Sequence, residues 1–306
     1  IYVGYDYNNY YSWNVARGYI EFNTSSIPDN ANISDSDLRV YIADTVDSGY
    51  CDIYPIEVPV GSQTDANLYA DAGNGTAYVS YDSFCGSTGW QTIDLGTNAD
   101  SDLENQLNST SSSDWFAVGI KDYYESDYSY DYGYFYSSEY SSGSYAPELN
   151  VTYYTSISGC TTLSTDGMDY TLTTDIINTT TSPCISITGN NVHLNLNGHL
   201  IDGDDSSIPA EGIKIIGDNA IVENGTISDF TTTINITSLS SGNTIRDLIV
   251  DPYDSSSDCF GVYISGAGNE LENITIKGYC PGSSSAGIYI KGNSTNFTNI
   301  SMIDSS

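Results

Sequence analysis

A short repeat between residues 185 and 304 constrains this chain more than any other feature. Five times an apolar strand pattern is followed by a polar turn and a second apolar stretch. The first strands are Ile185-Ser186-Ile187, Ile213-Lys214-Ile215, Ile234-Asn235-Ile236, Val262-Tyr263-Ile264 and Ile288-Tyr289-Ile290, and Gly212, Gly261 and Gly287 directly precede three of them. The second stretches open at Asn191, Asn219, Asn243, Asn269 and Thr295, at spacings of 28, 24, 26 and 26 residues. That period is a solenoid's. Strand side chains alternate faces, so each Ile-x-Ile sends two side chains inward and one outward. One rung cannot bury its own apolar face, and rungs therefore stack about 4.8 Å apart around a continuous core. Glycine and asparagine stand where the backbone must turn. A leucine-rich repeat is the competing solenoid, but its Leu-x-x-Leu-x-Leu frame is missing. The pattern predicts a parallel β-helix.

The chain of 306 residues has room for a second domain before this repeat. Residues 1–154 are expected to form it, and 155–306 the β-helix, with residues 160–184 an irregular cap on the first rung. Acidic residues number 40 against 7 Lys and Arg, a formal charge of −33. Both parts are acidic, with 23 acids and 3 bases up to residue 154 and 17 and 4 after it. Such a surface argues against nucleic acid and anionic membrane, which need clustered Lys and Arg, and suits cations or a high-salt setting. No run of about 20 apolar residues is present, so no membrane span is predicted. The chain starts at Ile1 without a signal peptide, and is read as a mature form whose targeting segment has been removed.

Six cysteines allow 15 pairings. Proximity favours Cys51–Cys85, Cys160–Cys184 and Cys259–Cys280, structural disulfides of an oxidising, extracellular place. Asn-x-Ser/Thr occurs at Asn23, Asn32, Asn74, Asn108, Asn150, Asn178, Asn224, Asn235, Asn273, Asn293, Asn296 and Asn299. These agree with a secreted glycoprotein, although turn-rich β composition produces some of them incidentally.

Residues 1–154 carry short strand-like runs between Asn, Asp, Gly and Ser: 18–22, 38–42, 90–95, 115–120 and 149–154. Alternation and turn density predict an antiparallel β-sandwich, with one short helical turn at 100–107. Within it, Arg17 to Phe22, Ser26-Ile27-Pro28 and Ile33 to Ile42 resemble the opening of the DNRLRE-type jelly-roll domain. Phe135 to Glu139 and Ala146 to Tyr153 are similar to that family's last strands. The resemblance implies a secreted surface protein, with carbohydrate-binding members in the family, and transfers no ligand residue.

A tyrosine-acid run fills residues 122–145. Tyr128, Tyr130, Tyr132, Tyr134 and Tyr136 would share one face of an extended strand, either as a platform for sugar or protein or as packing. Asp122, Glu125, Asp127 and Asp131 offer calcium ligands, but not at EF-hand spacing, and a solvated acidic loop explains them as well.

In the repeat, Ile187 to Gly203 resembles the first rungs of the NosD-like right-handed parallel β-helix family, which includes surface and polysaccharide-degrading members. Fold follows from this resemblance more readily than activity. Asp202, Asp204 and Asp205 beside His199 form the sharpest catalytic candidate, against a rung-turning role for Gly198 to Gly203. His193 and His199 make no metal pair alone. Asp251, Asp254 and Asp258 sit in a longer loop that could hold calcium or simply be solvated. Outward positions of the first strands are Ser186, Lys214, Asn235, Tyr263 and Tyr289, and stacked Tyr263 and Tyr289 could hold a sugar or a neighbouring subunit. The sequence ends at Ser306 without a capping element, which suggests either a longer protein or coverage by another subunit.

The first expectation is a secreted, N-glycosylated surface structural protein, without catalysis, that self-assembles into a filament, sheath or layer, a setting most similar to archaeal surface proteins. A carbohydrate-binding adhesin is the alternative, and a polysaccharide lyase or hydrolase with an attached binding domain the third. No cofactor is required, calcium aside.

Overall fold

The computed structural model describes residues 2–8, 12–46, 49–108, 114–125, 132–204, 210–253, 259–278 and 285–303. The chain divides into two compact units, Ile1–Tyr153 and Tyr154–Ser306. No helix among the described residues is long and apolar enough to cross a membrane.

In the first unit two antiparallel sheets enclose one core. One has Gly18–Asn23, Trp115–Asp122, Cys51–Pro55 and Val79–Asp82 as consecutive neighbours. The other is built on the long strand Ala31–Val46, which pairs with Gly89–Asp94 and Tyr132–Phe135. Tyr2–Asn8 and Ser12–Ala16 extend it. Alternation explains the faces: Leu38, Val40 and Ile42 are fully buried while Arg39 and Tyr41 point the other way, and Ile53, Val118, Ile120 and Phe135 meet them inside. Each such fully buried side chain stabilises the fold by about 1.5–3 kcal/mol.

The helix Gly96–Leu107 covers more than the predicted turn, because Ala99, Leu103 and Leu107 recur every four residues and bury one stripe on this core. A second helix, Asp65–Asp71, was not legible. Only Leu68 is buried in it, too little for a period, and its start is marked by Thr64, whose side chain accepts from Asn67 N–H. Cys51 and Cys85 are bonded, as predicted.

The second unit is a parallel β-solenoid of about five turns. Its first sheet stacks Thr161–Leu163, Ile185–Ile187, Glu211–Ile215, Thr232–Ile236, Phe260–Ile264 and Ala286–Ile290 in order. Ile185, Ile213, Ile234, Val262 and Ile288 are register partners from rung to rung. The longer strands Ile221–Ser228, Thr244–Asp251 and Glu270–Lys277 form the remaining walls. Each carries a residue of positive φ partway along, at Asn224, Asp247 and Asn273. Asparagine and aspartate are the side chains that tolerate this conformation best. At Gly261 a Cβ would stand 2.5 Å from the carbonyl oxygen of Gly287 in the next rung, which explains the glycine before the Val262 strand.

Two sequence expectations are corrected. Residues 160–184 are not an irregular cap but a rung. Thr161–Leu163, Asp169–Leu172 and Ile176–Thr179 each pair in parallel with the strand one turn later. The rung was hidden because its buried residues are Leu163, Met168, Tyr170, Leu172 and Ile176, which lack the Ile-x-Ile spelling. The Cys160–Cys184 disulfide belongs to it. Second, Asn191 and Asn219 are not equivalent to Asn243 and Asn269. Register pairs His193 with Ile221, Thr244 and Glu270 in turn, so the partners of Asn191 and Asn219 are Gly242 and Gly268. All four of those have positive φ. Asn243 and Asn269 instead occupy the next, inward position, held by Val192 and Ala220 in earlier rungs, and both are fully buried. One letter thus serves two purposes, an open turn and a core ladder.

Candidate functional site

Three groups of side chains stand out from these scaffolds. The first lies on the outward face of the long-strand sheet in the first unit. Tyr41 and Trp90 are cross-strand partners with ring centroids 5.5 Å apart, edge to face. Tyr136 stacks on Tyr41 at 5.4 Å, Tyr140 stacks on Tyr136 at 3.6 Å, and Tyr145 packs against Tyr41 at 4.5 Å. The Arg39 guanidinium sits 4.0 Å from the centre of the Trp90 ring and donates to Glu148 at 2.7 Å. A hydrogen bond with Tyr140, helped by desolvation, pushes the Tyr136 hydroxyl up to about 12. The chain leaving Tyr136 forms, with Gly18 to Phe22, a cleft of about 530 Å³ lined by Tyr19, Glu21, Ser137, Ser138 and Glu139. Of the tyrosines singled out in the sequence, Tyr134 and Tyr136 are here, with centroids 6.4 Å apart. Tyr128, Tyr130 and Asp131 lie outside the described residues, as does Asp127, and Tyr132 is described in its backbone alone. Trp90, Tyr41 and Tyr145 were missed, because nothing local brings them beside Tyr136.

A smaller ring group stacks Tyr50 on Tyr81 at 4.2 Å, and the Tyr124 hydroxyl donates to that of Tyr81 at 3.2 Å. Of the candidate calcium ligands nearby, Glu125 is engaged by Arg17 at 2.8 and 2.7 Å, and Asp122 accepts from Tyr124 N–H. Among the described residues, the carboxylates that converge are Asp35, Asp37 and Asp94, with oxygens within 4.8 Å of one another. Desolvation and the neighbouring charges of Asp35 and Asp94 raise the Asp37 carboxyl above its ordinary value.

The second group is the outward ladder of the solenoid's first sheet. Ser186, Lys214, Asn235, Tyr263 and Tyr289 are consecutive register partners. Tyr263 and Tyr289 stack at 5.1 Å, and Phe260 closes on both at 5.3 and 5.5 Å.

The third group runs down another wall. His193 has Asp169 Oδ1 at 3.3 Å and Glu223 Oε1 at 3.0 Å, the latter within ion-pair reach but outside hydrogen-bond geometry. Arg246 clasps the other Glu223 oxygen through two nitrogens, each at 2.5 Å. Burial pushes the Glu223 carboxyl up, yet Arg246 and His193 together hold it below the usual carboxylate range. His199 belongs elsewhere: its Nδ1 meets Asp175 at 2.9 Å, and Asp175 also accepts Leu200 N–H. Those two contacts lower the Asp175 carboxyl. Asp202 accepts from Ser228 at 2.6 Å and from Asn178 N–H at 3.4 Å. The supposed His199–Asp202 constellation is therefore divided between different partners. Asp204 anchors Thr179 through its backbone, and Asp205 lies outside the described residues, as do Asp254 and Asp258.

Among the sequons, Asn32 and Asn235 are half-buried and the other ten asparagines are exposed. Asn178, Asn224, Asn273 and Asn299 have positive φ. In the last three, the solenoid itself spells the motif: a turn asparagine, an inward residue, then an outward Thr226, Thr275 or Ser301. Cys259 is disulfide-bonded, and Cys280 lies outside the described residues.

The fold thus defines an all-β protein of antiparallel sheets and a parallel β-solenoid, with outward-facing aromatic clusters on each. Compared with family models, curated proteins and solved structures, the chain matches none of them.

Proposed function

We propose that this chain is an extracellular surface protein that holds polysaccharide on its outward-facing, half-exposed tyrosine platforms. The observation that carries the reading is the outward cluster of Tyr41, Trp90, Tyr136, Tyr140 and Tyr145. The core beneath it is already filled by Val40, Ile42 and Phe135, so these rings are not needed to close the sandwich. Aromatic rings offer rigid apolar area with a polar tip, which suits the C–H face and hydroxyl rim of a sugar. Arg39, Glu148 and the carboxylates and hydroxyls of the adjoining cleft supply hydrogen-bonding partners. The resemblances to the DNRLRE jelly roll and NosD-like solenoid, and the disulfides, support an extracellular setting.

Binding of the purified chain to a panel of neutral and acidic polysaccharides tests this. Affinity should fall at least tenfold in Tyr136→Ala with Trp90→Ala. Silence across the panel, or unchanged affinity in the double variant, would sink the proposal.

Self-assembly into a filament or layer is the second reading. The Tyr263–Tyr289 stack, with Tyr289 41 % exposed, would serve a second copy as well as a sugar, and Asp35, Asp37 and Asp94 would make association cation-dependent. Only dispersed monomers by electron microscopy, at low and high calcium, would remove it.

A further inference from the structure

On the solenoid's first sheet, one carboxylate is shared by an amine and a carboxamide. Lys214 and Asn235 are register partners on adjacent strands, both pointing outward. Glu211 stands on the Lys214 strand, three residues earlier. Lys214 Nζ donates to Glu211 Oε2 at 3.0 Å and lies 3.4 Å from Oε1, and Asn235 Nδ2 donates to that same Oε1 at 2.5 Å. Glu211 is poorly accessible, its side chain 19 % exposed. Asn235 Oδ1 is buried and has no hydrogen-bond partner. The next rung walls the group with aromatic rings, Tyr263 beside Asn235 and Phe260 beside Thr232, the partner of Glu211.

We propose that Lys214 and Asn235 join in an intramolecular isopeptide bond, with Glu211 as the acid–base catalyst. Glu211 takes a proton from the Lys214 ammonium, and the freed amine attacks Cγ of Asn235. As Nζ–Cγ forms, the same carboxyl delivers that proton, and then a second one given up by Nζ, to Nδ2, and the Cγ–Nδ2 bond breaks. The nitrogen leaves as ammonium, carrying the charge of the Lys214 amine, and Glu211 is regenerated as carboxylate. No oxidant, reductant or cofactor enters the balance. The geometry supplies what such an aminolysis ordinarily lacks, since reactants held together in a folded protein act at effective concentrations of about 10⁵ M or more. The carboxylate lies within reach of both the proton donor and the leaving nitrogen, as a proton shuttle must. The product would tie neighbouring rungs covalently at a place that the Cys160–Cys184 disulfide does not reach. It would also leave the Asn235 sequon unable to carry a glycan.

Mass spectrometry of the full chain tests the bond directly. The purified protein is reduced, deglycosylated, and digested with a protease that does not cut at lysine. The expected result is a branched peptide joining the Lys214 and Asn235 segments, lighter than their sum by one ammonia. Lys214→Arg should abolish it, and Glu211→Gln should reduce it at least tenfold. Recovery of the two segments as separate unmodified peptides, or a glycan on Asn235, would overturn the proposal without reliance on any variant's folding. A branched peptide at wild-type yield in Glu211→Gln would overturn the role given to Glu211.

Discussion

The two units answer the same problem, an acidic chain with a β core, by opposite use of sequence distance. In the solenoid a buried side chain meets its counterpart one turn on, as Asn243 meets Asn269 at a separation of 26 residues. In the antiparallel unit the decisive polar contacts join distant segments: Arg17 reaches Glu125 across 108 residues, and Arg39 reaches Glu148 across 109. Repeat architectures distribute stability over nearest neighbours, whereas a sandwich concentrates it in contacts that close the whole unit.

The largest expected effect lies in the antiparallel unit. Arg17 is clamped from several sides. It donates two nitrogens to Glu125 and one to the Tyr69 carbonyl, and its guanidinium lies 4.3 Å from the centre of the Tyr69 ring. Gly73 makes the space, since a Cβ there would stand 2.7 Å from Arg17. Both partners are 14 % exposed, and the Glu125 hydrogen bond holds the guanidinium charged against desolvation. Among the described residues, Arg17→Ala leaves Glu125 with Lys121, 3.8 Å away, and the Tyr69 hydroxyl beside it. It should cost about 3 kcal/mol, as removal of one partner of a shielded pair does. Arg17→Lys should restore only part, for want of the planar fork. Chemical denaturation, with hydrogen exchange in Trp115–Asp122 as the local reporter, measures both. A loss below about 1 kcal/mol would class the pair with ordinary surface bridges and break the comparison.

The next effect belongs to the solenoid. Asn269 Oδ1 accepts from both the side chain and the backbone N–H of Asn243, and Asn243 Oδ1 accepts Ala220 N–H. Asn269→Ala orphans the buried backbone N–H of Asn243 and leaves its Nδ2 with the Ser240 hydroxyl at 3.3 Å, and should cost about 1–3 kcal/mol. Replacing Asn243 and Asn269 together by valine should cost less than the sum of the single changes. Hydrogen exchange should quicken most in Thr244–Asp251 and Glu270–Lys277 and fade toward Ile185–Ile187. A uniform rise along the solenoid would show that it unfolds as one block, and the contrast with the sandwich would fall.

This difference also explains what could be read from the chain. The solenoid's outward ladder from Ser186 to Tyr289 was legible because register repeats each turn, so equal spelling implies equal height. The same logic misled at Asn191, where two positions one residue apart both favour asparagine, and at 160–184, where the rung is spelled differently. The Tyr136 cluster was half legible. Alternation put Tyr134 and Tyr136 on one face, but Trp90 and Tyr41 come from strands whose pairing no local pattern announces. The Asp169 partner of His193 was missed for a smaller reason: it sits in the rung mistaken for a cap.

The smallest effect asks whether charge ladders in the solenoid add to stability or merely decorate it. Burial raises the Glu223 carboxyl, but the Arg246 hydrogen bond and the close His193 ring outweigh it, so the folded value lies below the unfolded one. A carboxylate lowered on folding contributes stability that is present above its unfolded value, about 4.3, and lost as pH falls through the folded value. With Glu223 15 % exposed and Arg246 38 %, screening limits this to about 1 kcal/mol. The denaturation midpoint should therefore drop on going from about pH 7 to about pH 3, and drop less in Arg246→Ala, which lacks the strongest lowering contact. Asp175 adds to the acid loss in both proteins, since its lowering comes from Leu200 N–H and His199 and is untouched by the substitution. Equal acid losses in the two would mean that Arg246 leaves the Glu223 equilibrium unchanged, and that the solenoid's stability resides in its buried ladders alone.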